Sequence, residues 1–314
     1  MYKFILLLSL LPFTLKAQTS NRLPVPIILD TDIGPDYDDV GAMAVLHALS
    51  DRGEANPLAV ISSNKNDLVV PTIDLLNIYF GRPELPTGAP KGNGASYGAS
   101  QKWPEMLLAK YPHKINNTSE APDAVETYRK ILSKQSDNSV TIVTIGFLTN
   151  LSDLLDSKPD KNSPLSGTDL VKKKVKQLVS MAGTFPSGRE YNVYADSLAS
   201  EKVFAQWPTQ VIFSGFEIGK QIKTGLRVIG NENLKSPVKD VYALSMPLSK
   251  QDSEGRMSWD QTAVLVAVRG AQPYFGLKRG KIIVEGGNNK WQDDPMGQHA
   301  YLMEAMPKPG NRFD

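Results

Sequence analysis

Short apolar runs that end at a polar turn and are followed by a helix-like stretch recur along this chain. They constrain its fold more than any other feature. Val25-Pro26-Ile27-Ile28-Leu29 is the first. A run this short and apolar, bounded by turn residues, reads as a buried strand. An acidic turn follows, then Val40 to Leu49, apolar with alanines, which reads as a packed helix. Asn56 to Ser63 repeats the strand and Val70 to Phe80 the helix. Ser139 to Ile145 is β-branched and runs into a helix carrying Leu151, Leu154 and Leu155. Val175 to Met181 reads as a strand, the stretch from about Ala195 to Trp207 as a helix, and Gln210 to Ser214 as a strand. Ser258 to Val268 is an apolar helix and Lys281 to Glu285 a late strand. Strands alternating with helices predict an α/β fold, a mainly parallel central sheet flanked by helices. Ligands of such sheets bind at the C-terminal ends of the strands.

The composition sets outer limits. A chain of 314 residues, 41% hydrophobic and 22% charged, can bury a full core without staples. Its net charge of +2 is too small to argue for nucleic-acid or membrane binding by field alone. It has no Cys, which excludes disulfides, cysteine nucleophiles and thiolate zinc sites. Lys3, the apolar run Phe4 to Leu15 and then Lys16-Ala17-Gln18 have the layout of a cleaved leader. The run is too short for a comfortable membrane span. The expectation is a signal peptide over 1–17 and a single domain over 18–314, secreted or periplasmic, with no membrane attachment after cleavage. Gly88 to Tyr97 reads as a mobile loop, residues 159–168 as a surface loop, and Pro307 to Asp314 as a frayed end.

The chemistry concentrates in Asp30-Thr31-Asp32-Ile33-Gly34-Pro35-Asp36-Tyr37-Asp38-Asp39. Five carboxylates fall within ten residues, between a strand end and a helix start. One or two Asp would serve the positive end of a helix. Five repel one another and raise each other's pKa values unless a cation sits among them. Oxygen-only ligands point to a hard metal, Ca²⁺ or Mg²⁺. Gly34 and Pro35 turn the backbone so that Asp32 and Asp39 face one point. The competing reading is an Asp-rich helix cap beside a solvated loop.

This segment resembles the signature of the inosine-uridine nucleoside hydrolase family, DTDPGxDD, here DTDIGPDYDD with two extra residues before the final pair. The likeness continues through most of the chain. It implies a nucleoside hydrolase-like fold and Ca²⁺ as cofactor. It implies that Asp32 binds calcium and is the general base, that Asp39 is a calcium ligand, and that Asp38 holds the ribose hydroxyls. Asp36 has no counterpart, and Asp30 is expected to support the loop by hydrogen bonding. Ile145-Gly146-Phe147-Leu148-Thr149-Asn150 resembles the family's GPLTN segment, which makes the Ile145 carbonyl a calcium ligand, with Asn150 as a helix cap. Met181-Ala182-Gly183 and Glu190-Tyr191-Asn192 resemble its MGG…EFN segment, which assigns Glu190 and Asn192 to ribose. Asn66, after the second strand, is the favoured match to a further ribose-contacting Asn. Asp260 matches the last calcium ligand.

The residue before Asp260 is often His in the family and is Trp259 here. Trp-Asp resembles the purine-specific branch, where stacking on the base replaces a protein acid. The competing reading has Trp259 packed against the sheet. Tyr97 or Trp103 could be a second stacking ring. Of the three His, His47 reads as structural, His113 sits in a polar loop, and His299 has no argued role. The resemblance implies hydrolysis of ribonucleosides to ribose and free base, with a small-molecule nucleoside as the partner and a homo-oligomer allowed. Two other readings stay open: an exported nucleoside- or sugar-binding protein with little turnover, and a hydrolase of a related glycoside.

Overall fold

The computed structural model describes residues 23–304. The leader read over 1–17 and the end from Pro307 lie outside them. The strands are β1 (Val25–Thr31), β2 (Ala55–Ser62), β3 (Thr87–Gly88), β4 (Val140–Thr144), β5 (Val175–Met181), β6 (Ser187–Gly188), β7 (Gln210–Ser214), β8 (Lys223–Thr224), β9 (Arg256–Met257), β10 (Phe275–Glu285), β11 (Asn288–Asp293) and β12 (His299–Glu304). Ten of them form one sheet in the order β3-β2-β1-β4-β5-β7-β12-β10-β11-β6, and β8 pairs with β9. From β3 to β12 every neighbouring pair is parallel. From β12 through β10 and β11 to β6 the pairs are antiparallel. The mainly parallel sheet expected from the alternation is therefore present, with an antiparallel extension on one side.

Side chains on a strand alternate between faces. Ile27 and Leu29 belong to one apolar cluster, with the helices Asp38–Asp51 and Trp259–Arg269. Ile28 belongs to the other, with Ile142, Leu178 and the helices Ala124–Leu132 and Thr149–Asp156. Both faces of β1 are covered, which is why its sequence is a continuous apolar run rather than an alternation. No helix among the described residues is long and apolar enough to cross a membrane.

The chain leaves β1 for β2 and β3 on one side, then returns to β4 on the other side of β1. The order thus reverses between β1 and β4, the point where open α/β sheets place ligands. Asp30 pairs with Thr144, and the Ile145 N–H donates to the Asp30 carbonyl at 2.8 Å. The two strands consequently end at one level.

The antiparallel part was the least visible in the sequence. β10 begins at Phe275, six residues before the expected Lys281. Lys278, Arg279 and Lys281 punctuate it, and half its residues face solvent. An edge-side strand of this kind carries no apolar run to read. Residues 159–168 are tied down rather than merely superficial. The buried Arg129 donates to the Asp160 carboxylate and to the Ser163 and Leu165 carbonyls.

Candidate active site

Asp30 on β1 and Asp32 just past its end sit two residues apart and meet opposite surroundings. Asp30 is fully buried and accepts from the Tyr128 hydroxyl at 2.8 Å and Asn150 Nδ2 at 3.0 Å. Burial pushes its carboxyl up to about 7, against the pull of those two donors. Its carboxylate thus bonds to the helices Ala124–Leu132 and Thr149–Asp156, and not to the acidic loop it was expected to support. Asn150 Nδ2 also reaches the Ser62 carbonyl at 2.7 Å, so this side chain ties β1 to β2. It caps no helix: the cap residue is Leu148, which makes no side-chain capping bond.

Asp32 lines a cavity of about 330 Å³ at the C-terminal ends of β1, β4 and β5. No side-chain donor among the described residues reaches its carboxylate. Burial, then the charges of Asp39 and Asp36, push it well above the ordinary range. Two close approaches set its place. Asn64 Nδ2 donates to the Asp32 carbonyl and to the Tyr97 carbonyl, each at 2.8 Å. A Cβ on Gly146 would lie 2.5 Å from the Asp32 nitrogen, so only glycine lets β4 end against β1 here. Gly34, at φ +155°, turns the chain toward the next helix.

That helix opens with Asp38 and Asp39 in its first turn. Its cap residue, Tyr37, makes no side-chain capping bond, so the acidic run is not a cap. Thr31 Oγ1 donates to Asp39 Oδ1 at 2.5 Å. Asp260, in the first turn of the Trp259–Arg269 helix, completes a cup in which Asp38, Asp39 and Asp260 each bring one oxygen within 4.8 Å of the others. All three are buried. Burial raises the Asp39 pKa, helped by Asp38, and raises that of Asp260, helped by Asp38, Asp39 and Asp32. Buried, crowded carboxylates with only oxygen to offer are the donor set of a hard divalent cation, so the residues fit such an ion. Asp32 and Ile145 line the same cavity beside the cup. The tight triad contains Asp38, which the resemblance assigned to sugar.

The opposite wall comes from the segment after β5. The Glu190 carboxylate accepts from the N–H groups of Gly183 (3.0 Å), Asn192 (3.0 Å) and Val193 (3.3 Å). It therefore shapes the loop and starts the short helix Tyr191–Ala195. Asn192 Nδ2 donates to the Met181 carbonyl at 3.0 Å, which leaves its Oδ1 for the cavity. Trp259 donates from Nε1 to the Phe216 carbonyl at 2.7 Å and stacks on the Phe216 ring at 5.1 Å. Phe216, Trp259 and Tyr191 all line the cavity.

Eight of the nine expected site residues thus line one cavity: Asp32, Asp38, Asp39, Ile145, Glu190, Asn192, Trp259 and Asp260. Asn66 does not. It lines a separate small cavity with Ile33, Gly34 and Gly98, and its Oδ1 accepts from the Leu68 N–H. Trp103 is fully buried in the core and can stack on nothing in the cavity. Tyr97 packs on Tyr191, ring centroids 6.1 Å apart. None of the three His is among the lining residues. His47 is buried against Phe80 and bonded to Asn77, and His299 accepts from the Ile282 N–H. Burial lowers both to about 4.

Sequence reasoning missed Tyr191, Phe216 and Arg189 at the wall and Arg256 behind the cup. Tyr191 stood between two assigned residues, and Arg256 lies three residues before Trp259. Those positions were the only signals available. The Arg256 guanidinium bonds Asp38 Oδ1 from Nη2 (2.6 Å) and Nε (3.2 Å), and it also pairs with Asp36. Asp36, unassigned in the sequence, is one of its partners.

Fold and cavity together define an α/β protein with a carboxylate cup at the switch point of its sheet, facing an aromatic wall. A model described as inosine-uridine preferring nucleoside hydrolase matches residues 27–300, and the chain belongs to that family. It is 30% identical over 198 residues to a pyrimidine-specific ribonucleoside hydrolase RihA of Shewanella woodyi, a match covering 57% of this chain and 56% of that protein. It is 29% identical over 248 residues to the RihA of Escherichia coli O1:K1, covering 70% of each. The chain thus spans a little over half the length of the first of these curated relatives. Among solved structures, an inosine-guanosine nucleoside hydrolase superposes with TM-score 0.66 at 19% identity, covering 88% of this chain and 93% of the other. An inosine-uridine preferring nucleoside hydrolase from Bacillus anthracis gives 0.66 at 15%, covering 90% and 95%. At those identities the superpositions establish the fold.

Proposed function

We propose that this cavity hydrolyses the N-glycosidic bond of ribonucleosides to ribose and free base, with calcium as cofactor. One observation carries the reading. Asp32, whose carboxylate meets no side-chain donor, stands beside a cup of three buried carboxylates in the cavity that also presents Asn192. Asp32, Asp39 and Asp260, with the Ile145 carbonyl, would hold the ion, joined by Asp38 from the tight triad. When bound, it would orient the sugar hydroxyls and acidify water. Asp32, whose carboxylate opens on the cavity beside the cup, would accept the proton of the attacking water. Asn192 Oδ1 accepts from a sugar hydroxyl, and Glu190 fixes the loop that presents it. The sugar passes through an oxocarbenium-like state, and attack opposite the departing base inverts the anomeric carbon.

Trp259, stacked on Phe216, offers an aromatic surface to that base. With no His among the lining residues, stacking is what favours a purine that takes its proton from solvent. Relatives named for pyrimidines and for inosine and guanosine both exist, so the base is the point to measure. We also infer export, from residues 1–17, which N-terminal sequencing of the mature protein tests.

The decisive assay is reducing-sugar release from inosine, adenosine, guanosine, uridine and cytidine, with and without a calcium chelator, beside Asp32→Ala. Chelator-sensitive release that disappears in Asp32→Ala, with purines ahead, supports the reading. No release from any nucleoside, with calcium still bound in calorimetry, sinks it. In that case the protein captures nucleosides or acts on another glycoside.

A further inference from the structure

An arginine buried behind an acidic cup works against the ion the cup would hold. Arg256 is nonetheless built in from every side. Its side chain is 5% exposed. Two of its nitrogens converge on a single oxygen of Asp38, and Nη2 also reaches Asp36. Nη1 lies 3.8 Å from Asp252 Oδ2, which in turn accepts from the Tyr37 hydroxyl at 2.7 Å. The guanidinium lies over two rings, 4.8 Å from the centre of Tyr37 and 5.1 Å from that of Trp259. The pairing of β9 with β8 fixes its backbone, and Ser258 is bonded to Thr224 beside it. One side chain thus touches a residue of the carboxylate cup and the aromatic residue of the facing wall.

We propose that Arg256 is a positioning residue that trades cation affinity for geometry: it holds Asp38 and Trp259 in register and, by its charge, weakens the hold of the cup on a divalent ion. The trade follows from simple electrostatics. A fixed positive charge bonded to one of the three carboxylates of the cup lowers the attraction that a second cation feels there. Two bonds from one rigid guanidinium to Asp38 Oδ1 stop that carboxylate from rotating. The planar fork also rests on Trp259, which a lysine ammonium cannot reproduce while keeping both bonds to Asp38. Charge therefore acts on cation affinity and shape on turnover, and the two effects are separable.

The turnover half of this proposal rests on the nucleoside hydrolase reading, and the affinity half does not. The test uses the metal-free chain and its Arg256→Met, Arg256→Lys and Arg256→Ala variants. Calcium is titrated by calorimetry, and ribose release is measured with calcium saturating. Arg256→Met should bind calcium at least about tenfold more tightly than the parent, and Arg256→Lys within about threefold of it. Both should lose at least about tenfold in kcat with little change in KM. Millimolar guanidinium, but not equal sodium, should return Arg256→Ala toward the parent in both readouts. Calcium affinity unchanged or weaker in a folded Arg256→Met or Arg256→Ala overturns the charge half. Full turnover in Arg256→Lys overturns the geometric half. If Arg256→Met does not fold, Arg256→Lys turnover and guanidinium rescue of Arg256→Ala decide. If the parent releases no ribose, the nucleoside reading fails and the calcium titrations alone judge Arg256.

Discussion

The acidic floor of the cavity and its aromatic wall are built in opposite ways. Four of the five floor carboxylates come from eight consecutive residues, Asp32 to Asp39, and Asp260 alone comes from far along the chain. The wall draws single residues from scattered places: Tyr191 after β5, Phe216 after β7 and Trp259 at the start of a late helix. Floor residues are held by polar partners, Thr31 on Asp39 and the distant Arg256 on Asp36 and Asp38. Wall residues are fixed by one another, through the Trp259–Phe216 stack and the packing of Tyr191 on Tyr97 and Phe147. The floor is a set of charges that resist being together, and the wall is a set of rings that stay together by packing. Chemistry should therefore depend on the floor and substrate choice on the wall.

Four experiments probe that division. The largest effect belongs to Asp32→Asn, which keeps the shape and removes the base. Its kcat should fall by about 10²–10⁴-fold on every nucleoside alike. A loss confined to one base would place Asp32 in recognition instead. Gly146→Ala comes next. Its Cβ would sit 2.5 Å from the Asp32 nitrogen, so Asp32 must move. A fall in kcat of about 100-fold with an unchanged circular dichroism spectrum is expected, because small misplacements of a catalytic group are costly. Equal activity would show that the end of β1 has slack. Trp259→Ala should raise KM for purines by about tenfold, the worth of a lost stacking contact, and leave calcium affinity alone. A matching change for pyrimidines would remove Trp259 from base choice.

The smallest effect concerns pH and metal removal. Asp30 is raised to about 7 when folded, above its ordinary value of 3.8, and the carboxyls of Asp32, Asp39 and Asp260 are raised as well. A carboxyl raised in the folded state gives stability that is present at low pH and lost as pH climbs through the folded pKa. The chelated protein should then melt a few degrees higher at pH 6 than at pH 8, as measured by calorimetry. Calcium should reduce that difference, since binding favours the ionised carboxylates. A chelated protein that grows more stable toward pH 8 would show that the buried carboxyls are not raised.

Much of the floor was legible in the sequence, because five carboxylates in ten residues at a strand end have few physical explanations. The parallel strands were legible too, since burial on both faces demands continuous apolar runs such as Val25 to Leu29. The antiparallel strands were less so, because a half-solvated strand such as β10 carries lysines and arginine in its middle. Asn66 illustrates a different failure. It follows β2 in the expected place, yet Asn64 takes the position nearest the site and bonds the Asp32 carbonyl, while Asn66 bonds its own loop. Two asparagines two residues apart are interchangeable on paper, and only the turn between them decides which one faces inward.

By itself the sequence determined the elements, their alternation, the acidic segment and the family likeness, because these depend on local pattern. It could not determine what each polar group would find as a partner. Tertiary structure decided that Asp30 would be quenched by Tyr128 and Asn150 while Asp32 stayed open to the cavity. It decided that Asp36 and Asp38 would share Arg256, and that Phe216 and Tyr191 would join Trp259. Each of those outcomes depends on distances between segments far apart in the chain, which folding sets and no local pattern encodes.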